Sequence, residues 1–123
     1  MLDYDALAVE LRNLWERVSG VTDTVIAAVD GIPIFADAAD TVDPANVSAL
    51  AAADLGIARQ AVEVIGQGTL SQTVVFSSGG YMAVYAVGRT ALMVVLGDKG
   101  LNVGRLLYEA QPVIQRIGSI LTS

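Results

Sequence analysis

The side chains that most often carry catalysis are scarce in this sequence. It contains no histidine and no cysteine, which removes the imidazole base, the thiolate nucleophile and the common zinc ligand sets. Ser77 and Ser78 lack a nearby base to activate them, so we interpret them as turn residues that precede Gly79 and Gly80. The sequence therefore predicts no catalytic residue, and we expect a protein that is not an enzyme.

Two other segments hold groups that bind ligands in other proteins. Asp37, Asp40 and Asp43 offer carboxylate oxygens to a hard cation. Their spacing does not match an EF-hand loop, so we favour the interpretation that they cap a helix and lie in a solvated loop. The segment GDKGLNVG places glycines before a helix, where backbone amides can bind phosphate. It lacks the Gly-Lys-Ser/Thr ending of a P-loop, and we expect neither a metal nor a cofactor.

The composition indicates a single domain, residues 1–123, that is short of polar surface. Hydrophobic residues make up 54% of the chain and charged residues 16%, against about 25% charged residues in typical soluble domains. A small domain with this balance hides part of its apolar surface against another chain, so we expect self-association.

The net charge of -6 and the absence of a basic cluster argue against nucleic acid as a partner. They also argue against docking on an anionic membrane. The apolar runs are shorter than the roughly 20 residues that a membrane-spanning helix needs, so we expect no membrane insertion. A cytoplasmic protein follows from these observations.

Apolar periodicity and turn residues predict where the first half of the chain forms helices and strands. Spacings of three and four predict a helix from Asp3 to about Val18, with Asp3 or Asp5 as its cap. The pair Asp30-Gly31 in AAVDGIPIFAD predicts a tight hairpin between two strands. Asp43 and Pro44 predict the start of a second helix that runs to about Ile65.

Three strands and a last helix follow. The strands lie in TLSQTVVFSS, YMAVYAVG and TALMVVLG, and the helix begins after DKG. Pro112 is expected to bend or interrupt that helix near Glu109 to Gln111. The order predicts an α+β fold in which five antiparallel strands carry helices on both faces.

The middle helix has too little polar surface for a solvated face. Its widest apolar arc is expected to cover the sheet, and this arc consists of Val47, Leu50, Ala51, Ala53, Leu55, Ile57, Ala58, Ala61, Val62, Val64 and Ile65. The opposite side holds small residues that allow a second helix to approach closely, among few polar ones: Ala45, Ala49, Ala52 and Gly56, with Ser48, Arg59, Gln60 and Glu63. The alternative is that alanine simply favours helix. Asp54 lies within the apolar arc, so we expect it to reach the edge of the arc or to find a donor across an interface.

The whole chain resembles the roadblock family, the dynein light chain type domains that include the MglB-like bacterial proteins. The resemblance rests on the hairpin VDGIPI, the helix VSALAAADLGIARQAVEVIGQG, the segment GYMAVYAVGRTALMVVLG and the last helix start LNVGRLLYEA. The order and spacing of these segments along all eight elements make the match specific. The Ala/Val-rich composition is similar to that of actinobacterial members.

The resemblance implies an αββαβββα sandwich, with one helix on one face of the sheet and two on the other. It also implies a homodimer in which the middle helix and the third strand meet their counterparts, so that two sheets become one. On this sequence the dimer contact maps to Ala49, Ala52, Ala53 and Gly56 on the helix, and to the region of Leu70, Gln72 and Val74 on the strand.

The function implied by the resemblance is a role in signalling. The protein would be a regulator or scaffold without catalytic activity that binds a small Ras-like GTPase and modulates its nucleotide state or localisation, with a sensor kinase-like protein as a further partner. Arg59, Gln60 and Glu63 are the candidate partner-binding residues, and Arg59 or Arg89 is a candidate charge stabiliser. Related bacterial sequences often carry a basic residue at the position of Gln111 and a helix-compatible one at Pro112, so the partner surface on the last helix differs here.

Two other functions stay open at this point. A small-molecule-sensing module of the same fold would have an apolar cavity lined by Tyr81, Tyr85 or Trp15. A structural assembly subunit would form a stable dimer without further partners.

Overall fold

The computed structural model describes all 123 residues and contains the eight expected elements in the expected order. The helices are α1 (Tyr4–Arg17), α2 (Pro44–Ile65) and α3 (Val103–Thr122). The strands are β1 (Val21–Ala28), β2 (Pro33–Asp37), β3 (Gln72–Ser77), β4 (Gly80–Val87) and β5 (Ala91–Asp98).

Each helix begins at a side chain that accepts a hydrogen bond from a free amide of the first turn. Asp3 Oδ1 accepts from the amide of Ala6 at 3.0 Å, which selects Asp3 over Asp5 as the cap of α1. Asp43 Oδ1 accepts from the amide of Ala45 at 3.0 Å, and Pro44 is the first residue of α2. The predicted start of α2 and its end at Ile65 are confirmed.

The first hairpin turns at Asp30-Gly31, as predicted. Asp30 Oδ1 accepts from the amide of Ile32 at 3.2 Å, and Gly31 has a φ of 92°. A Cβ at Gly31 would lie 3.1 Å from the Cα of Ala49 on α2. The glycine therefore provides both the left-handed backbone of the turn and room for α2 to pass.

The sheet is antiparallel throughout and has the strand order β2-β1-β5-β4-β3. The strands β2 and β3 are its two edges, and Pro33 stands at the start of the edge strand β2, where a missing amide hydrogen is tolerated. The strand β5 joins the two halves of the sheet, because it pairs with β1 on one side and with β4 on the other.

A hydrophobic core lies on each face of the sheet, between the strands and the helices that cover them. The helices α1 and α3 cover one face through Leu7, Leu11, Leu106 and Ile117, together with the other members of the larger core. The helix α2 covers the other face, where its buried residues Ala51 and Leu55 pack on strand residues such as Val25, Val84 and Val94. The prediction of an αββαβββα sandwich with one helix on one face and two on the other is confirmed.

The helix α3 continues without a break through Pro112. Of the two expected effects of Pro112, an interruption near Glu109 to Gln111 is wrong, whereas a bend there stays a prediction. Pro112 cannot donate to the carbonyl oxygen of Tyr108, but both residues are exposed, so water can solvate that oxygen. Val113 and Ile117, buried just beyond the proline, hold the helix on the sheet.

Candidate functional site

The outer face of α2 carries large apolar side chains in the open. Leu50, Ile57 and Val64 are 67%, 70% and 86% exposed. They are spaced by seven residues, which aligns them along one side of a helix. The exposed small residues Ala49, Ala53, Gly56 and Ala61 lie among them. We call this set of seven residues the α2 stripe.

The expectation that Leu50, Ile57 and Val64 cover the sheet is wrong. The sector of α2 that faces the sheet is narrower and centres on Ala51 and Leu55. Apolar residues occur on every side of this helix, so their periodicity alone does not select the side that is buried. Ser48, which was expected on the solvated side, is fully buried, and its hydroxyl has no hydrogen-bond partner.

Three of the four helix residues assigned to the dimer contact lie on the α2 stripe. Ala49, Ala53 and Gly56 are exposed, whereas Ala52 is partly buried against the core beneath α2. A Cβ added at Gly56 would meet no atom within 4 Å. Nothing in the chain itself therefore requires a glycine at this position.

The strand β3 lies beside α2 and has a free edge. Gln72 and Val74 pair with Tyr85 and Ala83 of β4 and share the sheet face of α1 and α3. Leu70 precedes the strand and packs beneath α2. The three strand-side candidates thus follow one edge of the sheet but do not share one face.

Val75 and Phe76 are exposed apolar residues of β3 that the sequence analysis did not assign to the site. Val75 lies on the α2 side of the sheet, opposite Met82. Phe76 lies on the other side and packs edge-on against Tyr81, with ring centroids 5.2 Å apart. The edge of β3 is therefore apolar on both faces, although strand periodicity would place only one of these residues in a core.

A hydrogen bond connects α2 with β3. The hydroxyl of Thr73 donates to Oδ2 of Asp54, and the contact is partly buried. Asp54 therefore has a donor within its own chain and needs none across an interface, and its partial burial agrees with the alternative expectation that it reaches the edge of the arc.

A cleft of about 570 Å³ opens at the C-terminal half of α2. Arg59, Glu63 and Arg89 line it, and Arg59 Nη2 donates to the carbonyl oxygen of Gly88 at 3.1 Å. Gln60 is exposed but is not part of the lining. The structure thus brings together two of the three candidate partner-binding residues, and it adds Arg89.

Two further candidate residues, Ser77 and Asp43, have structural roles. The hydroxyl of Ser77 donates to the carbonyl oxygen of Gly80 at 2.8 Å, which confirms its role in the turn. Asp43 caps α2, and no group of three His, Cys, Asp or Glu side chains is placed to hold a metal ion. None of the helices combines the length and apolar character needed to cross a bilayer.

The three aromatic residues considered for a ligand pocket do not share a cavity. Tyr85 is fully buried in the core, where desolvation raises the pKa of its phenol. Trp15 lines an open cleft of about 320 Å³ with Arg12, Glu16 and Asp37. Tyr81 lines a separate open cleft of about 350 Å³ at the β3–β4 hairpin, together with polar residues such as Asp23 and Ser77. Neither of these two open clefts is the apolar cavity that would favour a small-molecule sensor built on these residues.

Comparison with known proteins places this fold among proteins of one family. Residues 7–97 match the family model of the Roadblock/LC7 domain. Two relatives occur in Methanocaldococcus jannaschii. The uncharacterized protein MJ1340 is 28% identical over 101 residues, covering 82% of this chain and 88% of its own. The uncharacterized protein MJ0310 is 31% identical over 88 residues, covering 72% and 76%.

Solved structures show the same architecture. A Roadblock/LC7 domain from Streptomyces avermitilis superposes with a TM-score of 0.84 at 23% identity, covering 91% of this chain and 94% of that one. MglB of Myxococcus xanthus superposes with a TM-score of 0.87 at 12% identity, covering 98% and 90%. A further structure, described as MglB with tetrameric arrangement, superposes with a TM-score of 0.84 at 13% identity, covering 95% and 88%. From the family match and the relatives in sequence, together with the shared fold, we conclude that this chain belongs to the Roadblock/LC7 domain family.

Proposed function

We propose that the protein is a homodimer that binds a small Ras-like GTPase and modulates its nucleotide state or localisation without catalysing a reaction itself. The observation that carries the proposal is the α2 stripe, whose exposed Leu50, Ile57 and Val64 lie beside the free edge of β3. An apolar surface of this kind marks an interaction site in a soluble domain.

Self-association through this surface would bury the apolar side chains of the α2 stripe and would pair the free edge of β3. Removing a Leu, Ile or Val side chain from water contributes about 1.5–3 kcal/mol, and the small residues Ala53 and Gly56 allow two helices to approach closely. Pairing of β3 with a second β3 would satisfy the unpaired backbone groups of the edge and would continue the sheet across the dimer. The tetrameric arrangement named for one MglB structure supports self-association in this family.

The GTPase partner is supported by family membership and by the likeness to MglB structures. The charged residues Arg59 and Glu63 lie near the C-terminal end of α2, with the exposed Gln60 between them. Such a polar margin beside an apolar surface is typical of a contact that forms and dissociates. A sensor kinase-like protein is a further proposed partner, and we place the complex in the cytoplasm.

The test is a pull-down from lysate of the host with the tagged protein as bait, run once with GDP and once with a non-hydrolysable GTP analogue added to the lysate. We expect mass spectrometry to identify a small GTPase that is retained in one nucleotide state and not in the other. The double variant R59E/E63R, which inverts the charges near the end of α2, is expected to retain less of it, whereas R12E on α1 retains as much as wild type. Recovery of no GTPase under either nucleotide would contradict the proposal and would favour the structural assembly function.

A further inference from the structure

The cleft at the end of α2 has the composition of a small-molecule site. Its floor is apolar and consists of Val62, Leu70 and Ala86. Its rim carries polar and charged groups from three separate segments: Arg59 and Glu63 of α2, Gly68 and Thr69 of the following loop, and Gly88 and Arg89 of the β4–β5 turn. A volume of about 570 Å³ lies within the range of pockets that bind small ligands.

The lining of the cleft carries more positive than negative charge, because it contains Arg59 and Arg89 against Glu63 alone. Three of the seven basic residues form ion pairs, namely Arg17 and Arg105 with Glu109, and Arg116 with Glu10. Arg59 and Arg89 form none, although the chain has thirteen acidic residues. Two of the four unpaired basic side chains therefore line the same cleft.

One of these two arginines is held in place before any ligand arrives. The bond from Arg59 Nη2 to the carbonyl oxygen of Gly88 fixes the guanidinium beside the turn that carries Arg89. A guanidinium has five N–H donors, and Arg59 spends one of them on Gly88. A side chain that is already ordered loses less conformational entropy when it binds.

The loop after α2 adds neutral donors. The amides of Gly68 and Thr69 donate to no acceptor in the chain. Two of the last four carbonyl oxygens of α2 are already occupied, because the amides of Gly66 and Gln67 donate to those of Glu63 and Val62 at 3.2 and 3.1 Å. The lining of the cleft thus includes two arginines and two residues whose backbone amides are free to donate to a ligand.

We propose that this cleft binds a phosphate group, either as free phosphate or as the monoester of a small hydroxyl-bearing molecule. Guanidinium groups form charge-assisted and often bidentate hydrogen bonds with phosphate oxygens, and free backbone amides donate to the same oxygens. The carboxylate of Glu63 on the rim disfavours ligands with several phosphates, and it can accept from a hydroxyl of a monoester. The cleft shares Arg59 and Glu63 with the proposed GTPase contact. Phosphate binding by the isolated protein requires no GTPase, however, so the two proposals are tested separately and can fail separately.

The test is a titration of the full-length, isotope-labelled protein with inorganic phosphate and with ribose 5-phosphate, followed by amide NMR at constant ionic strength. We expect saturable shifts at the amides of Gly68, Thr69, Gly88 and Arg89. Tighter binding of ribose 5-phosphate would identify a monoester as the ligand, and equal affinities would identify free phosphate.

Variants decide whether the arginines carry the binding. R59Q and R89Q are each expected to weaken it about tenfold, because each removes a charge-assisted hydrogen bond. The side chain of Arg89 forms no hydrogen bond or ion pair within the protein. The result for R89Q therefore remains interpretable even if R59Q disturbs the turn at Gly88. R12Q removes an unpaired arginine elsewhere and should bind as wild type does. Shifts that do not saturate, or an equal loss in R12Q and R89Q, would overturn the proposal.

Discussion

The hydroxyl of Thr73 on β3 donates a hydrogen bond to the carboxylate of Asp54 on α2. This bond joins the two elements that form the proposed dimer surface, and it does so within one chain. The helix and the edge strand are therefore held in fixed relation before a second copy arrives, which reduces the ordering that association requires.

Replacing Thr73 with valine keeps the shape of the side chain and removes the donor. Asp54 would then be left half-buried without its partner. We expect the free energy of unfolding to fall by about 1–2 kcal/mol, measured by urea denaturation at one fixed protein concentration, because the stability of a dimer depends on concentration. T41V, at an exposed threonine without a hydrogen bond, is the control. Equal stability of T73V and T41V would show that the bond contributes nothing.

Replacing Ser48 with alanine is expected to stabilise the protein. The hydroxyl of Ser48 is buried beneath α2 and has no partner, so its removal relieves the cost of an unpaired polar group and improves the helix propensity. We expect a gain of about 1 kcal/mol in thermal or urea unfolding. S77A should have the opposite effect, since Ser77 donates to the carbonyl oxygen of Gly80. A loss of stability in S48A would contradict this assignment.

Tyr85 makes the free energy of unfolding depend on pH in the alkaline range. Burial raises the pKa of its phenol above the ordinary value near 10. Below pH 10 the phenol is neutral in both states, but above pH 10 it ionises in the unfolded chain and not in the folded one. The unfolded state then binds fewer protons, so the free energy of unfolding falls as the pH rises.

The variant Y85F isolates this effect. We expect it to remove a slope of up to about 1.4 kcal/mol per pH unit above pH 10, measured by urea unfolding between pH 9 and 11. Y108F alters an exposed tyrosine and should keep the slope of the wild type. If Y85F and Y108F lost stability with pH at the same rate, burial of Tyr85 would not be the cause.

Local residue chemistry explains why much of the fold could be predicted. Asp-Gly favours a tight hairpin turn and Asp-Pro favours a helix start through local backbone preferences, so the hairpin and the bounds of α2 agree with the prediction. The uninterrupted α3 could not be predicted in the same way. It depends on core contacts of Val113 and Ile117, which outweigh the local effect of Pro112.

The orientation of α2 was the part of the site that sequence reasoning placed wrongly. With apolar residues on every side, periodicity cannot decide whether Leu50 or Ala51 faces the sheet, and only the packing of Leu55 on β1, β4 and β5 decides it. The seven-residue spacing of Leu50, Ile57 and Val64 was the available signal, because it is typical of a helix that packs on another helix.

The central claim is that the α2 stripe is an interface between two copies of this chain. Its most direct test is the molar mass in solution, measured by sedimentation equilibrium over a concentration series, for wild type, I57D and V9D. Ile57 is 70% exposed on the stripe, and Val9 is 57% exposed on α1, on the other side of the sheet. Each substitution adds one negative charge to an exposed apolar position. That charge becomes buried, and so opposes association, only where a second copy covers the site.

We expect wild type and V9D to have twice the mass of one chain, and I57D to have the mass of one chain while its circular dichroism still shows a folded protein. A monomeric wild type, or an I57D variant that remains a dimer, would contradict the claim.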